Sequence, residues 1–286
     1  MKVVMTPNPY RDKNFKYAAQ AEQILENAGV ETKICLPFGV DRSFEPPADR
    51  IFYNLGDELQ TADLLICFGG DGTILHSSKA ATAHSIPVLG VNIGTMGFMA
   101  ELEAGELNLL SRLATGQYTV ERRMMLSVEV FHEGQVVYSD TALNDVAITK
   151  GAVARVIHLE VLCDSVQAYS FAGDGVLVCT PTGSTAYSMS AGGPIVEPSA
   201  RNIIVTPICS HTVQARPFVT SKDREITVRV GKTGRKNAFL STDGGRAFRL
   251  SLGDTVRLRR ARRETRLVRL KNTSFFEIIN NKFFMR

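Results

Sequence analysis

Residues 64–73 read LLICFGGDGT. Five consecutive apolar residues, Leu64–Phe68, leave no polar face, so a strand made of them must be covered on both sides. Sheets covered on both sides are the parallel sheets of α/β proteins. The run stops at Gly69-Gly70-Asp71-Gly72-Thr73, and a helix-compatible stretch, Thr73–Ala83, follows. Strand, glycine loop and helix in that order make one half of a βαβ unit, which restricts this part of the chain to an open α/β sheet.

The flanking sequence repeats that alternation. Lys2–Met5 is β-prone. Asn14–Asn27 carries Phe15, Ala18, Ala19, Ala21, Ile24 and Leu25 at helical spacing, and Gly29 can end it. Val30–Leu36 reads as a strand, Pro37–Ala48 as a loop, Pro87–Val91 as another buried strand and Leu107–Leu113 as a helix. Near Tyr118 the character changes. Leu126–Phe131, Val136–Tyr138, Ile157–Leu162, Val176–Cys179, Ile226–Val230 and Thr255–Leu258 are short strand-like runs, with a hairpin turn at His132–Gln135. The expected organisation is an α/β domain over 1–120 and an all-β domain over 121–271. Ser274–Arg286 has four phenylalanines and two isoleucines, so residues 272–286 are expected to return to the first domain.

With 44% hydrophobic and 22% charged residues, the 286-residue chain has enough apolar material for real cores. A net charge of +4 suits anionic small molecules and is too weak to argue for nucleic acid. Five scattered cysteines without a CxxC pair read as buried free thiols in a reducing compartment. No run approaches the ~18 apolar residues of a membrane span, and the N-terminus lacks a signal-peptide pattern, so the expected location is cytoplasmic. Arg257–Lys271 carries eight Lys/Arg and one Glu. It reads as a solvated hairpin with Val256, Leu258, Leu267, Val268 and Leu270 facing inward.

Several segments offer chemistry, each beside a plainer reading. Gly69, Gly70, Gly72 and Thr73 form a turn or a backbone nest for phosphate oxygens before a helix. Asp71 is superfluous in a turn and unfavourable beside phosphate. As a general base acting on a hydroxyl, next to a divalent cation, it has a purpose. The loop is neither GxxxxGK[ST] nor GxGxxG. Asn92–Phe98 (NIGTMGF) is a second glycine-punctuated loop; Met96 reads as core and Phe98 as core or site. Asn144-Asp145 is an Asx-type turn or an amide and a carboxylate suited to base and ribose. Gly173-Asp174-Gly175 alone is a turn. Thr180–Pro194, TPTGSTAYSMSAGGP, is small and hydroxylated with one tyrosine, and can wrap a flat ligand. His211 stays unassigned, and no His/Cys/Asp cluster has metal-ligand spacing.

Together these segments resemble the NAD kinases. The phosphate loop of that family is similar to Gly69–Thr73, its Asn-acidic pair to Asn144-Asp145, its Asp-Gly step to Asp174-Gly175, and its long signature to Thr180–Pro194. Thr206–Pro217 is similar to a further family segment. The resemblance covers most of the chain; GGDG alone is shared with other kinases, whereas the long signature is specific. It implies a Rossmann-like α/β domain followed by a β-sandwich domain, with substrate in the cleft between them. It also implies transfer of the ATP γ-phosphoryl, with Mg²⁺, to the 2′-hydroxyl of the adenosine ribose of NAD, giving NADP. Asp71 would be the base, with Gly72 and Phe98 lining the site. Asn144 and Asp145 would hold the ribose and adenine side of NAD. Asp174 and the Thr185-Ala186-Tyr187-Ser188-Met189-Ser190 segment would complete the site. His76 and Arg155 fall where family members carry a basic or polar contact. Ala172 stands where some members carry arginine, which would relax discrimination between NAD and NADH.

The resemblance further implies a homo-oligomer, dimer or tetramer; no tightly bound cofactor is expected, and charge and hydropathy point to neither nucleic acid nor membrane as partner. ATP is the default donor, with other triphosphates or polyphosphate as alternatives. A lipid or sugar kinase of the GGDG group would not need Thr180–Pro194. A non-catalytic dinucleotide sensor would not need Asp71 as a base. A hydride-transfer enzyme is the most distant rival.

Overall fold

A computed structural model of the chain describes residues 1–37, 47, 51–94, 97–151, 156–231 and 238–283. Most of the Pro37–Ala48 loop, Met96 and Arg155 lie outside the described residues. The chain divides into two compact units, Met1–Arg122 with Thr265–Arg286, and Arg123–Glu264.

The first unit is built on a seven-stranded sheet. Glu31–Ile34, Lys2–Pro7, Leu64–Gly69 and Val88–Asn92 lie side by side in that order, all parallel. All six residues of Leu64–Gly69 are buried, as its apolar run requires. The two-residue strand Leu102–Glu103 pairs with Val88–Asn92, and Thr265–Arg269 joins the same strand in parallel. Val3, Met5, Leu64, Ile66, Phe68, Leu89 and Val91 form one core with Ala18, Ala21 and Leu25 of helix Lys16–Asn27. This helix begins two residues later than its spacing suggests. Asn14 and Phe15 take left-handed backbone, with φ near 55° at both. The Asp12 carboxylate instead accepts the N–H groups of Tyr17 and Ala18, each at 3.0 Å, and so caps the first turn. Leu107–Leu113 is split between a 3₁₀ stretch, Ala104–Leu110, and a short α turn, Ser111–Ala114.

The second unit consists of two six-stranded sheets. In one, Leu126–His132 and Gln135–Ala142 form the expected hairpin, turning through left-handed Glu133 and Gly134. In the other, Gly175–Cys179 is central, between Asp145–Lys150 and Asn202–Ile208. The two inner faces share one core, with Val128, Val130, Leu159 and Val228 of the first sheet against Val146, Ile148, Val176 and Val178 of the second. That is the two-layer solution for antiparallel sheets with one face dry.

The reading of Arg257–Lys271 as a hairpin is corrected by the pairing. Thr255–Arg260 pairs with Leu126–His132 and Ile226–Val230 in the second unit, while Thr265–Arg269 runs beside Val88–Asn92 in the first. The apolar residues are buried, but Val256 and Leu258 join the core of the second unit and Val268 and Leu270 that of the first. The charges are largely matched: Arg257 and Arg259 meet Glu225, Arg259 also meets Glu129, and Arg269 bonds Glu101 and Glu121. The cysteine reading is corrected at two positions: all five thiols are free, but Cys209 is exposed and Cys163 only partly buried.

The last strand is followed by helix Phe275–Phe283, which belongs to the first unit. Its Phe283 ring lies 6.0 Å from that of Phe98. Among the described residues no helix is long and apolar enough to cross a membrane.

Candidate active site

Two groups of side chains stand out, one in each unit. In the first, the helix after the glycine loop starts at Asp71, two residues earlier than its apolar spacing indicates, with Gly70 as N-cap. Asp71 is therefore the first helical residue, where a negative charge is favoured by the exposed N–H groups of the first turn. Both carboxylate oxygens are held: Oδ2 accepts the Phe98 N–H at 2.7 Å and Oδ1 that of Met99 at 3.1 Å. The second glycine loop thus fixes the carboxylate of the first. Gly97 is part of the fit, because a Cβ there would overlap Asp71 Oδ1.

The three glycines beside Asp71 divide their tasks. A Cβ on Gly69 would collide with the Thr73 side chain, so Gly69 allows close packing of the loop on its own helix. Gly70 and Gly72 face open space, with nothing within 4 Å of a built Cβ. Their backbone borders a groove of about 360 Å³ lined by Asn8, Arg11, Gly70, Gly72, Thr73 and His76. Asn8 Nδ2 donates to Thr73 Oγ1 at 2.9 Å, which ties the turn after the first strand to the loop. Arg11 and Asn8 were not singled out in the sequence. A Pro-containing turn after a β-strand, NPYR, was the available signal, and it is not specific. The groove therefore offers backbone N–H groups, one arginine and one histidine, a donor set for phosphate oxygens. The Lys282 ammonium lies 3.8 Å from the ring centroid of Phe98, whose N–H holds Asp71.

In the second unit, Asn144 immediately precedes strand Asp145–Lys150, whose first residue, Asp145, stands opposite Cys179. Thr180 closes onto them: its Oγ1 donates to Leu143 O at 2.5 Å and its N–H to Asn144 O at 2.9 Å. Gly183 then packs so closely that a Cβ would overlap Asn144 O. The Asn-Asp pair and the TPTGSTAYS segment are thereby one site. Asn144 Oδ1 is buried without a hydrogen-bond partner among the described residues. Asp145 is 6% exposed. Burial, and then the charge of Asp243, push its carboxyl up to about 7.

The long signature is compact rather than a loose loop. Thr182–Thr185 is a 3₁₀ turn and Tyr187–Ser190 one α turn. Ser184 Oγ donates to Pro181 O at 2.7 Å, and Ser188 Oγ meets Thr206 Oγ1 at 3.0 Å. Ser188 is fully buried and supports the turn from inside, whereas Tyr187 is 46% exposed. Thr185, Ala186 and Met189 are half-buried and Ser190 is exposed.

Asp174 is not part of that cluster. It precedes Gly175, at the opposite end of the strand from Cys179, so the register separates it from Asp145 by about 16 Å at ~3.3 Å per residue. Its carboxylate pairs with Lys150 Nζ at 2.6 Å. Lys150 and Asp243 are the other residues that sequence reading missed. Only an S-T-D-G-G turn after a strand marked Asp243.

Comparison with known proteins fits this arrangement. Residues 3–118 match the family model for the ATP-NAD kinase N-terminal domain, and residues 143–270 that for the ATP-NAD kinase C-terminal domain. The chain is similar to the NAD kinase of Acetivibrio thermocellus, 33% identical over 100% of this chain and 98% of that protein. It is 43% identical to the NAD kinase of Symbiobacterium thermophilum over 77% and 78% of the two chains. The crystal structure of yeast NADH kinase complexed with NADH matches with a TM-score of 0.84, at 25% identity over 98% of this chain and 86% of that one. An NAD kinase from Archaeoglobus fulgidus in complex with ATP shares the fold, with a TM-score of 0.74 over 99% and 98% of the two chains. The two family matches, one on the α/β unit and one on the β-sheet unit, define a two-domain phosphotransferase that acts on a nucleotide. The chain belongs to the NAD kinase family, whose reaction forms NADP.

Proposed function

We propose that this chain transfers the γ-phosphoryl of ATP to the 2′-hydroxyl of the adenosine ribose of NAD, with Asp71 as general base. The observation that carries the reading is the placement of Asp71. Its two oxygens are fixed by Phe98 and Met99 beside the open backbone of Gly70 and Gly72. An ionised carboxylate has about four acceptor sites. Two are spent on these amides, which leaves capacity to accept the hydroxyl proton. Fixing the carboxylate in advance is what proton transfer in the transition state requires.

Arg11, His76, Thr73 and the Gly70 and Gly72 backbone bind the phosphate chain. Asn144, Asp145, Thr185, Ala186, Tyr187, Met189 and Ser190 hold NAD, with Ser188 shaping their turn. Asp174 meets the nicotinamide portion, and Phe98 packs at the reacting end. Arg155 is carried only by the family resemblance. Magnesium keeps several waters and takes few protein ligands beside phosphates. A single carboxylate, Asp71, next to the groove fits an ion that arrives on the triphosphate, and no cluster of three His, Cys, Asp or Glu among the described residues offers a separate cage. Such an ion would supply positive charge to offset that of the phosphate chain. Polyphosphate is the alternative donor. We further infer a homo-oligomer, dimer or tetramer, in the cytoplasm.

Incubating the purified chain with NAD, ATP and Mg²⁺, with NADP read by an NADP-specific dehydrogenase, tests the reaction. Asp71→Asn is expected to keep NAD binding and lose turnover by roughly two to four orders of magnitude. Unchanged turnover removes Asp71 as base. Dinucleotide binding without turnover by any donor in the wild type favours a sensor.

NADH is a second acceptor to weigh. Ala172 supplies no cation where some family members have arginine, and the yeast NADH kinase is a structural neighbour.

A further inference from the structure

Asp243 follows strand Ala238–Thr242, one step past the Thr242–Val146 pair, and so stands across from Asp145. Its carboxylate accepts three consecutive backbone N–H groups. Oδ2 takes Leu143 at 2.8 Å, and Oδ1 takes Asn144 at 2.8 Å and Asp145 at 3.1 Å. Its own N–H donates to Asp145 O at 2.9 Å. To make these bonds Asp243 adopts left-handed backbone, φ 51°, a conformation that Asp tolerates better than most residues. On the other side of the turn, Thr180 takes the carbonyls of Leu143 and Asn144.

The backbone of residues 143–145 is therefore committed before any ligand arrives. The unsatisfied group is on a side chain, Asn144 Oδ1, buried without a partner among the described residues. A buried amide oxygen left open on a fully tied backbone suits recognition more than folding. Asp243 also carries an electrostatic cost. Its charge, added to burial, disfavours ionisation of Asp145. A neutral asparagine would spare that repulsion, but it accepts only through its one oxygen and would set an N–H donor against a backbone N–H, so gathering all three amides takes the carboxylate.

We propose that Asp243 is a positioning residue for the reaction: by gathering the N–H groups of Leu143, Asn144 and Asp145 it fixes the Asn144 and Asp145 side chains in the geometry that receives NAD. This rests on the reading of Asn144 and Asp145 as NAD contacts.

The test uses the full-length chain with NAD, ATP and Mg²⁺. Asp243→Asn is expected to raise KM for NAD at least about tenfold, the worth of a charge-assisted hydrogen bond. KM for ATP should stay within about twofold, because the phosphate groove belongs to the other unit. A parallel rise in both KM values, or no change in KM for NAD, overturns the proposal. Asn144→Ala checks the underlying reading. If it leaves KM for NAD unchanged, that reading fails. If it raises KM while Asp243→Asn does not, the positioning role alone fails. The double variant should lose less than the sum of the two single losses, because part of the Asp243 effect passes through Asn144, whereas fully additive losses count against that route. Should Asp243→Asn not fold, amide exchange in the wild type decides. Slow exchange at residues 143–145 without NAD supports a pre-set turn, and fast exchange that slows only with NAD overturns it.

Discussion

The Lys282 ammonium sits 3.8 Å from the centroid of the Phe98 ring, and Phe98 in turn donates its backbone N–H to Asp71 Oδ2. The end of the chain is thereby one residue removed from the proposed catalytic carboxylate. Lys282 feels both sides of this position. Burial pulls its pKa below the ordinary lysine value, while the charge of Asp71 acts in the opposite direction. Phe283 adds a ring contact to the same Phe98.

Lys282→Ala is expected to lower kcat by up to about tenfold with little change in KM for NAD. The cation over the ring is worth ~0.5–2 kcal/mol, and ~1.4 kcal/mol is a factor of ten in rate. Steady-state kinetics with NAD varied at saturating ATP reads this directly. An unchanged kcat would reduce the helix to a cover for apolar surface.

Glycine substitutions separate holding the carboxylate from leaving room for phosphate. Gly97→Ala builds a methyl into Asp71 Oδ1 and must displace the carboxylate or its loop. It should cost at least about a hundredfold in kcat, as loss of a placed base does, together with ~1–3 kcal/mol of stability from overpacking. Gly72→Ala meets nothing within 4 Å, so its unfolding midpoint should match the wild type. Its methyl projects toward the groove, and KM for ATP should rise. A normal kcat in Gly97→Ala would mean that Asp71 need not stay where Phe98 and Met99 hold it.

The fold was legible where one residue pattern has one physical solution. Leu64–Phe68 has no polar face, so it could only be a covered strand, and it is. The alternating runs after Leu126 could bury one face each, and they form two sheets around one core. What escaped depended on long-range choices. Thr255–Arg260 and Thr265–Arg269 look like a hairpin because each has an inward apolar face. Nothing local says that the chain passes between units at Glu264. At the site, Asp71, Asn144 and Asp145 were visible through glycine spacing and the long signature. Arg11, Lys150 and Asp243 were not, because each lies in an ordinary turn or strand and acquires meaning only from a partner distant in sequence. Asp243 reaches residue 143, 100 positions away.

The Asp145 carboxyl makes stability depend on pH in a definite direction. Its pKa is raised to about 7 in the folded chain, by burial first and by Asp243 second. The folded state therefore holds this proton more tightly than the unfolded state. The group favours folding fully at pH values below the ordinary aspartate range. That contribution is lost as pH rises from about 4 through about 7, and little changes beyond. Across the strand, Cys179 is pushed up to about 12 by burial and so stays neutral throughout this window. Asp145→Asn removes the titration. Urea unfolding at pH 5 and pH 8 should show the variant gaining on the wild type at the higher pH. An identical difference at the two pH values would mean that Asp145 titrates alike in the folded and unfolded states.

If Asp174 meets the nicotinamide portion as proposed, acceptor preference turns on it. Oxidised NAD carries a positive nicotinamide ring and NADH a neutral one, so a free carboxylate near the ring favours the oxidised form. Here Lys150 Nζ stands 2.6 Å from Asp174 Oδ1 and offsets that carboxylate, and position 172 is alanine. The two acceptors should then give kcat/KM values within about threefold of each other, a difference below 1 kcal/mol. Lys150→Ala leaves Asp174 without this partner. A full charge a few ångströms away at a protein surface interacts by up to ~4 kcal/mol before solvent screening. The variant should therefore prefer NAD over NADH by about tenfold or more. Measuring both acceptors against ATP in the wild type and in Lys150→Ala decides the matter. A strong NAD preference already present in the wild type would show that the Lys150 pair does not cancel Asp174. An unchanged ratio in the variant would place the nicotinamide ring away from Asp174 altogether.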